Sequence, residues 1–344
     1  MCSLTTKTVF VGLDYHDQSV QVCGMDADEQ MLVNRSVKND WKAIVAAVQQ
    51  RCGKEVGVQA AIEACCGAAN LAEELTTKAK WSVSLAHPGY VARMKHNPDK
   101  SDFSDARVLS DLERLGYLPR VWLAPEEVRE LRLLVRHRQW LTKERKNLKL
   151  QIRATLREAR QQPPEELNPW TKAWLAWLQD TAELSPNARL IVRSKLVRLT
   201  QLAQQIRGVE RLMARQTRKD PLVQKLLTMP GIGLVTAVTM RAEIGRFDRF
   251  RTGKQLARFC GVTPRNASSG KRQADAGLIK AGNPGLRTVL VEAAHRLMRY
   301  DERWLKFAHR LSQRGKPTNV INAAIANRWL RWLFHQMQDK ATAA

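Results

Sequence analysis

The sequence predicts a mixed α/β domain at the N-terminus, followed by a chain that is mostly helical. Three observations lead to this prediction. Short apolar runs alternate with amphipathic patterns in the first 120 residues, leucines at helical spacing follow, and basic residues are concentrated after residue 120. We therefore expect three regions, at 1–120, 121–219 and 220–338.

Eight elements are expected in the first region. Apolar runs bounded by polar turns predict three strands, and then a helix, a strand, a helix, a strand and a helix. The expected bounds, in that order, are 8–14, 19–24, 31–37, 41–51, 57–63, 68–78, 81–86 and 101–115. Ser101 is a suitable N-cap for the last helix. This is the element order of the RNase H fold, so an RNase H-like (RuvC-like) domain is predicted.

Four acidic residues lie at junctions of these elements. Asp14 and Glu63 each close an apolar strand, and Asp102 and Asp105 lie three residues apart at the start of a helix, on one face. Carboxylate oxygens are the ligands of hard divalent cations, and two such ions can activate a nucleophile and stabilise a leaving oxygen at phosphorus. The pattern favours phosphoryl transfer on nucleic acid with two Mg²⁺ ions, for which Mn²⁺ is a substitute.

Each acid also has a plain structural explanation. A single carboxylate at the end of a strand is commonly a solvated turn residue. Several carboxylates buried together repel one another unless cations compensate, and the agreement of four positions with one topology favours metal ligation. Asp99 and Asp111 are the neighbouring alternatives.

The middle region has the pattern of two long helices. Leucines recur at helical spacing over 126–161, and 199–213 follows heptad steps of three and four. Prolines between them break the chain, so we expect an antiparallel helical hairpin or an intermolecular coiled coil. Trp170, Trp174 and Trp177 fit core or interface packing better than base stacking.

Charge is distributed unevenly along the chain, whose formal net charge is +24. Residues 1–120 carry 14 lysines and arginines against 15 acidic residues, whereas residues 121–344 carry 43 against 18. The second part is therefore expected to hold a polyanion, with binding that weakens steeply as salt rises.

The cysteine pattern and the hydropathy of the sequence indicate the cellular compartment of the protein. The six cysteines include no CxxC pair, so we do not expect a structural zinc site. We expect the cysteines to be reduced thiols. No apolar run has the length of a signal-peptide core or of a membrane span. We expect a cytoplasmic protein with no membrane partner.

A glycine-rich turn opens the last region. Gly231 and Gly233, in Met229-Pro230-Gly231-Ile232-Gly233, resemble the hairpin of helix-hairpin-helix modules. Glycines there let backbone N–H groups approach a phosphate beside a helix N-terminus. A plain helix connector is the alternative.

Two sets of motifs resemble a known family. In the first region they are Val11-Gly12-Leu13-Asp14, Ile62-Glu63-Ala64 and Lys100-Ser101-Asp102-Phe103-Ser104-Asp105-Ala106. In the last region they are the glycine-rich turn, Glu243-Ile244-Gly245, Phe259-Cys260-Gly261-Val262-Thr263-Pro264, Ser269-Gly270 and Lys280-Ala281-Gly282-Asn283 with Arg287. Both resemble the DEDD recombinases of the insertion-sequence family numbered one-ten, with its eleven-eleven subgroup and the related invertase Piv.

The resemblance implies a catalytic serine. In that family a RuvC-like DEDD domain is combined with a transposase domain whose serine attacks DNA and becomes covalently linked to it. By motif position this serine is Ser269, and Ser268 is the neighbouring alternative. A further alternative is that both serines are ordinary residues of a Gly/Ser loop without a catalytic role. Four basic residues flank it and are expected to contact the DNA backbone: Lys271, Arg272, Lys280 and Arg287.

The resemblance also implies partners. Family members use a structured noncoding RNA (a bridge or seeker RNA) to choose donor and target DNA, and form homodimers that pair into homotetramers with composite sites. A bacterial protein associated with the nucleoid when active is expected. Two alternatives stay open: a RuvC-like structure-specific endonuclease that uses water as nucleophile, and a nucleic-acid-binding protein without catalysis.

Overall fold

The computed structural model describes residues 8–94, 101–267, 275–279 and 282–338. The chain divides into two compact units, Met1–Pro125 and Glu126–Ala344. The finer division into three regions stays a prediction.

A six-stranded mixed sheet forms the centre of the first unit. Its strands are β1 (Thr8–Tyr15), β2 (Ser19–Met25), β3 (Met31–Lys38), β4 (Gly57–Glu63), β5 (Ser82–Ala86) and β6 (Arg120–Val121). They follow the order β3-β2-β1-β4-β5-β6. β1, β4 and β5 are parallel neighbours, while β2, β3 and β6 each pair antiparallel to an adjacent strand.

Helices cover both faces of this sheet. They are α1 (Trp41–Cys52), α2 (Ala68–Lys78), α3 (Pro88–Met94) and α4 (Asp102–Arg114). α1 and α2 share an apolar core with β1 and β4, and α4 packs on the opposite face. The mixed α/β prediction is confirmed, with every predicted element within one residue of its expected bounds. α3 and β6 were not predicted, and assignment to the RNase H class stays a prediction.

The contact between α4 and β1 is close enough to involve backbone. A Cβ on Gly12 would lie 1.9 Å from the carbonyl oxygen of Ala106 and 2.5 Å from the Ser110 nitrogen. The Ser110 hydroxyl donates to the Phe10 carbonyl at 2.8 Å. Farther along α4, buried Glu113 accepts from Arg120 of β6 at 2.8 Å. These contacts fix the position of α4 against the sheet.

The second unit begins with a long helical hairpin. It consists of α5 (Glu126–Glu158), α6 (Lys172–Ala176), a π-helical turn (Trp177–Thr181) and α7 (Pro186–Thr217). Leu141 of α5 packs on Leu202 and Ile206 of α7, whereas Ile152 packs in a cluster with Val192. The order of these contacts shows that α5 and α7 are antiparallel. Of the two arrangements predicted for this region, the antiparallel helical hairpin is therefore the one observed. Trp174 is buried in the second of these clusters, as the core interpretation of the tryptophans predicts.

A second helical core completes this unit. Its elements are α8 (Pro221–Leu227), α9 (Leu234–Ile244), α10 (Gly253–Phe259), the strands β7 (Pro264–Asn266) and β8 (Asp275–Leu278), α11 (Pro284–Tyr300), α12 (Glu302–Gln313) and α13 (Thr318–Gln338). Leu131 and Val135 of α5 are buried in the same core. Across the described part of the chain, each helix is too short or too polar to traverse a bilayer.

The contact at Gly12 can be tested by adding one methyl group. We expect Gly12→Ala to lower the free energy of unfolding by about 3 kcal/mol or more, because the methyl group meets backbone atoms that cannot rotate away. Urea-induced unfolding followed by circular dichroism measures this change. The matched control is Gly57→Ala in β4, where the nearest atom is the Thr8 hydroxyl at 3.9 Å. Equal effects of the two substitutions would contradict the packing argument.

Candidate active site

Asp14 and Glu63 lie on the side of the sheet that α4 covers. Leu13 and Ile62, which are paired across β1 and β4, are buried in the core shared with α1 and α2. Because side chains alternate along a strand, the next residue of each strand projects to the opposite face. The parallel pairing therefore brings these two carboxylates to the same edge and the same face.

Asp102 and Asp105 occupy the first turn of α4. The Ser101 hydroxyl caps this helix by accepting from the Ser104 N–H, as predicted. Asp105 is buried on the sheet-facing side together with Ala106, whereas the Asp102 side chain is 58% exposed. The positive end of the helix dipole stabilises carboxylates at this position.

A histidine joins two of the predicted acids. The His16 Nε2 atom lies 3.3 Å from an Asp14 oxygen and 3.4 Å from an Asp102 oxygen. Asp14, His16 and Asp102 offer ligand atoms within 4.8 Å of one another, and we call them the acid–histidine cluster. Sequence reasoning missed His16, although its position two residues after Asp14, in the turn between β1 and β2, was a usable signal.

The acid–histidine cluster has the chemistry of a divalent-cation site. Carboxylate oxygens suit Mg²⁺ and Mn²⁺, and an imidazole nitrogen is a ligand for transition metals. Glu63 and Asp105 lie outside this three-residue group, on the face where it forms. The structure thus brings Asp14 and Asp102 together directly and places the other two acids on the adjoining strand and helix turn.

The Cys65 thiol lies close enough to Glu63 and Asp14 for their charges to affect its pKa. Burial raises the pKa of the Cys65 thiol, and the negative charges of Glu63 and Asp14 raise it further. Cys65 follows β4 by two residues, so its side chain senses both carboxylates from one loop. The field at this edge of the sheet is therefore negative, which favours a cation and disfavours a thiolate.

The glycine-rich turn between α8 and α9 is tightly packed. Gly231 has a φ of 74°. A Cβ on this residue would also lie 3.2 Å from both the Arg296 Cβ and the Leu297 nitrogen of α11. Gly233 is the N-cap of α9 and gives it no side-chain cap. Gly231 thus has a structural reason to be glycine, and the role of both glycines in phosphate contact stays a prediction.

The segment that contains the predicted nucleophile lies between strands β7 and β8. Five of the predicted or alternative residues lie outside the described residues: Ser268, Ser269, Lys271, Arg272 and Lys280. β7 and β8 pair antiparallel on either side of this segment. Asn327 of α13 donates to the Val262 carbonyl at 3.1 Å, just before β7. Arg287 lies against Gly261, with its guanidinium 3.4 Å from the Ile279 carbonyl, at the end of β8.

Comparisons with known proteins cover both motif sets. A family model described as Transposase, of the DEDD IS110 type, matches residues 11–160, and one described as Transposase IS116/IS110/IS902 family matches residues 223–309. The chain is 29% identical to a "Probable family 20 transposase" of Pseudomonas aeruginosa, over 94% of this chain and 95% of the relative. It is 24% identical to the "Transposase for insertion sequence element IS1111A" of Coxiella burnetii, over 96% and 90%.

A third relative extends the comparison. The chain is 29% identical to the "Transposase for insertion sequence element IS1328" of Yersinia enterocolitica, over 79% of this chain and 81% of the relative. The DEDD-type match, together with the acid–histidine cluster, indicates use of a divalent metal.

Metal binding at the acid–histidine cluster can be tested directly. We expect Asp14→Asn to weaken Mn²⁺ binding at least about tenfold, because it removes one charged oxygen ligand. Isothermal titration of the full chain with Mn²⁺ measures the affinity. Asp111→Asn is the matched control, since Asp111 lies on α4 but pairs with Arg114 at 2.6 Å. Unchanged Mn²⁺ affinity in Asp14→Asn would exclude this carboxylate as a ligand.

Proposed function

Since the chain belongs to the IS116/IS110/IS902 family of transposases and is a DNA recombinase, we propose that it moves an insertion sequence by metal-dependent, serine-mediated strand exchange. The observation that carries this proposal is the acid–histidine cluster. Its three side chains come from the end of β1, the following turn and the start of α4, and they converge within the region matched as a DEDD transposase.

We assign the metal ligands to the four predicted acids, Asp14, Glu63, Asp102 and Asp105. Two Mg²⁺ ions, or Mn²⁺ in their place, would neutralise charge on the scissile phosphate and help to activate the attacking hydroxyl. The convergence of Asp14 and Asp102 on His16 supports this assignment. The parallel pairing of β1 with β4, which brings Glu63 beside Asp14, supports the participation of Glu63.

We assign the nucleophile to Ser269. Its hydroxyl oxygen would form a bond to phosphorus while one strand P–O bond breaks, so the serine loses its proton and the strand end leaves as a hydroxyl. Attack of a strand hydroxyl on the serine–phosphate ester would then rejoin DNA and restore the serine. Each step exchanges one phosphodiester for another, so no external energy source is needed. The motif position of Ser269 in the matched transposase region supports the assignment.

We infer from the family resemblance that a noncoding RNA guides the reaction and that homodimers pair into homotetramers. The excess of basic residues after residue 120 supports a polyanionic partner of this kind. The base pairing of such an RNA would supply the sequence choice, and the protein would hold the strands by their backbones. Lys271, Arg272, Lys280 and Arg287, with Gly231 and Gly233, are the proposed backbone contacts.

The serine mechanism predicts a covalent intermediate. With labelled donor DNA and Mg²⁺, the wild-type protein is expected to give a protein–DNA species that survives denaturing electrophoresis. Ser269→Ala is expected to abolish this species, while Ser268→Ala, one residue away, retains it. An adduct in Ser269→Ala that is lost in Ser268→Ala would move the role to Ser268.

The same experiment separates the alternative functions. Cleavage of DNA without any adduct would favour a RuvC-like endonuclease that uses water. Binding without cleavage by the wild-type protein would favour a nucleic-acid-binding protein without catalysis. Under the proposed function, Asp102→Ala binds DNA and forms no adduct.

If an RNA guides the reaction, a specific RNA is expected to copurify with the protein. The protein purified from its native host is expected to carry one RNA species encoded beside its own gene, identifiable by sequencing after mild ribonuclease treatment. Removal of that RNA should abolish recombination, and its addition should restore it. Full recombination by RNA-free protein would refute guidance and leave the serine mechanism standing.

A further inference from the structure

Four arginines surround one groove between α12 and α13. Its volume is about 540 Å³, and its walls include Arg303, Trp304 and Arg310 from α12 and Arg328, Arg331 and Trp332 from α13. We call it the α12–α13 groove. It lies within the second unit and shares no residue with the acid–histidine cluster.

The charge of this groove is not balanced by acids. None of its lining residues is acidic. Arg303 pairs with Asp301 at 3.0 Å, but Arg310, Arg328 and Arg331 have no carboxylate within ion-pair distance in the described ranges. Guanidinium groups gathered around one cavity repel one another, and an anionic ligand would relieve this repulsion.

Aromatic rings hold three of the four guanidinium groups in place. The Arg310 Cζ atom lies 5.7 Å from the centre of the Phe307 ring. The Arg303 Cζ atom lies 4.7 Å from the centre of the Trp304 ring and 4.6 Å from that of Trp332, and the Arg328 Cζ lies 4.3 Å from that of Phe307. These contacts are cation–π interactions. The ring faces are therefore occupied by arginine and not open to a nucleobase, while the N–H edges of the guanidinium groups stay available for phosphate oxygens.

The dimensions favour a strand over a single small anion. Arg303 and Arg310 lie two helical turns apart on α12, about 10 Å along its axis. Arg328 and Arg331 lie one turn apart on α13. Arginines spread over that length can contact successive phosphates of a nucleic-acid backbone.

We propose that the α12–α13 groove binds the phosphodiester backbone of a nucleic-acid strand. The four guanidinium groups contact successive phosphates. The choice of nucleic acid as the ligand rests on the proposed function, since a recombinase binds nucleic acid. The groove adds a backbone contact that neither the acid quartet nor the serine motif contains.

The test is the salt dependence of binding in a double variant. Arg328→Gln with Arg331→Gln removes two charges from the groove. Fluorescence anisotropy of the full chain is measured with a labelled single-stranded DNA and an RNA of the same sequence, over roughly 0.05 to 0.2 M salt. We expect affinity to fall at least about tenfold, and the slope of log K against log salt to become shallower by about 1.4 for two lost contacts.

Matched variants separate the groove from general charge. Arg193→Gln with Arg211→Gln removes the same charge from exposed positions of α7 and is expected to change the slope by less than half as much. Arg328→Lys with Arg331→Lys keeps the charge and is expected to retain the slope while binding more weakly, since lysine lacks the planar fork.

Each outcome decides the proposal. Loss with RNA alone, with DNA alone or with both supports the groove and identifies the strand that it holds. Equal losses in the α12–α13 double variant and the α7 double variant, or wild-type binding in the former, would overturn it. The assay involves no cleavage, so a failed adduct experiment with a positive binding result would refute the serine mechanism and leave the groove standing.

Discussion

The structure of the candidate active site depends on the backbone contact between α4 and β1. Gly12 has no side chain, and the carbonyl oxygen of Ala106 occupies the space that a Cβ would need. This close approach sets the height of α4 above the sheet. It brings the first turn of α4 to the end of β1, where Asp102 meets Asp14 across His16.

The division of charge along the chain supports a division of tasks. The four acids proposed as metal ligands lie on a near-neutral unit, where their mutual repulsion favours a cation. The second unit carries the basic excess and arranges part of it on aromatic rings in the α12–α13 groove.

The extent to which sequence predicted this structure follows from the range of the interactions. Strand alternation and helix capping are local, so the elements of the first unit and the cap at Ser101 were predicted closely. Asp14 and Glu63 were predicted to come together because the topology expected from the element order places both strand ends at one site. His16 was missed as a site residue, since its role depends on contacts between elements that no local pattern encodes.

The proposed mechanism requires that carboxylates from separate elements hold divalent cations at one edge of the sheet. The most direct measurement is an anomalous difference map from crystals of the protein grown with Mn²⁺. We expect anomalous peaks within coordination distance of Asp14 and Asp102, with Glu63 or Asp105 completing the ligand set. A map with no peak at this edge of the sheet, at saturating Mn²⁺, would contradict it.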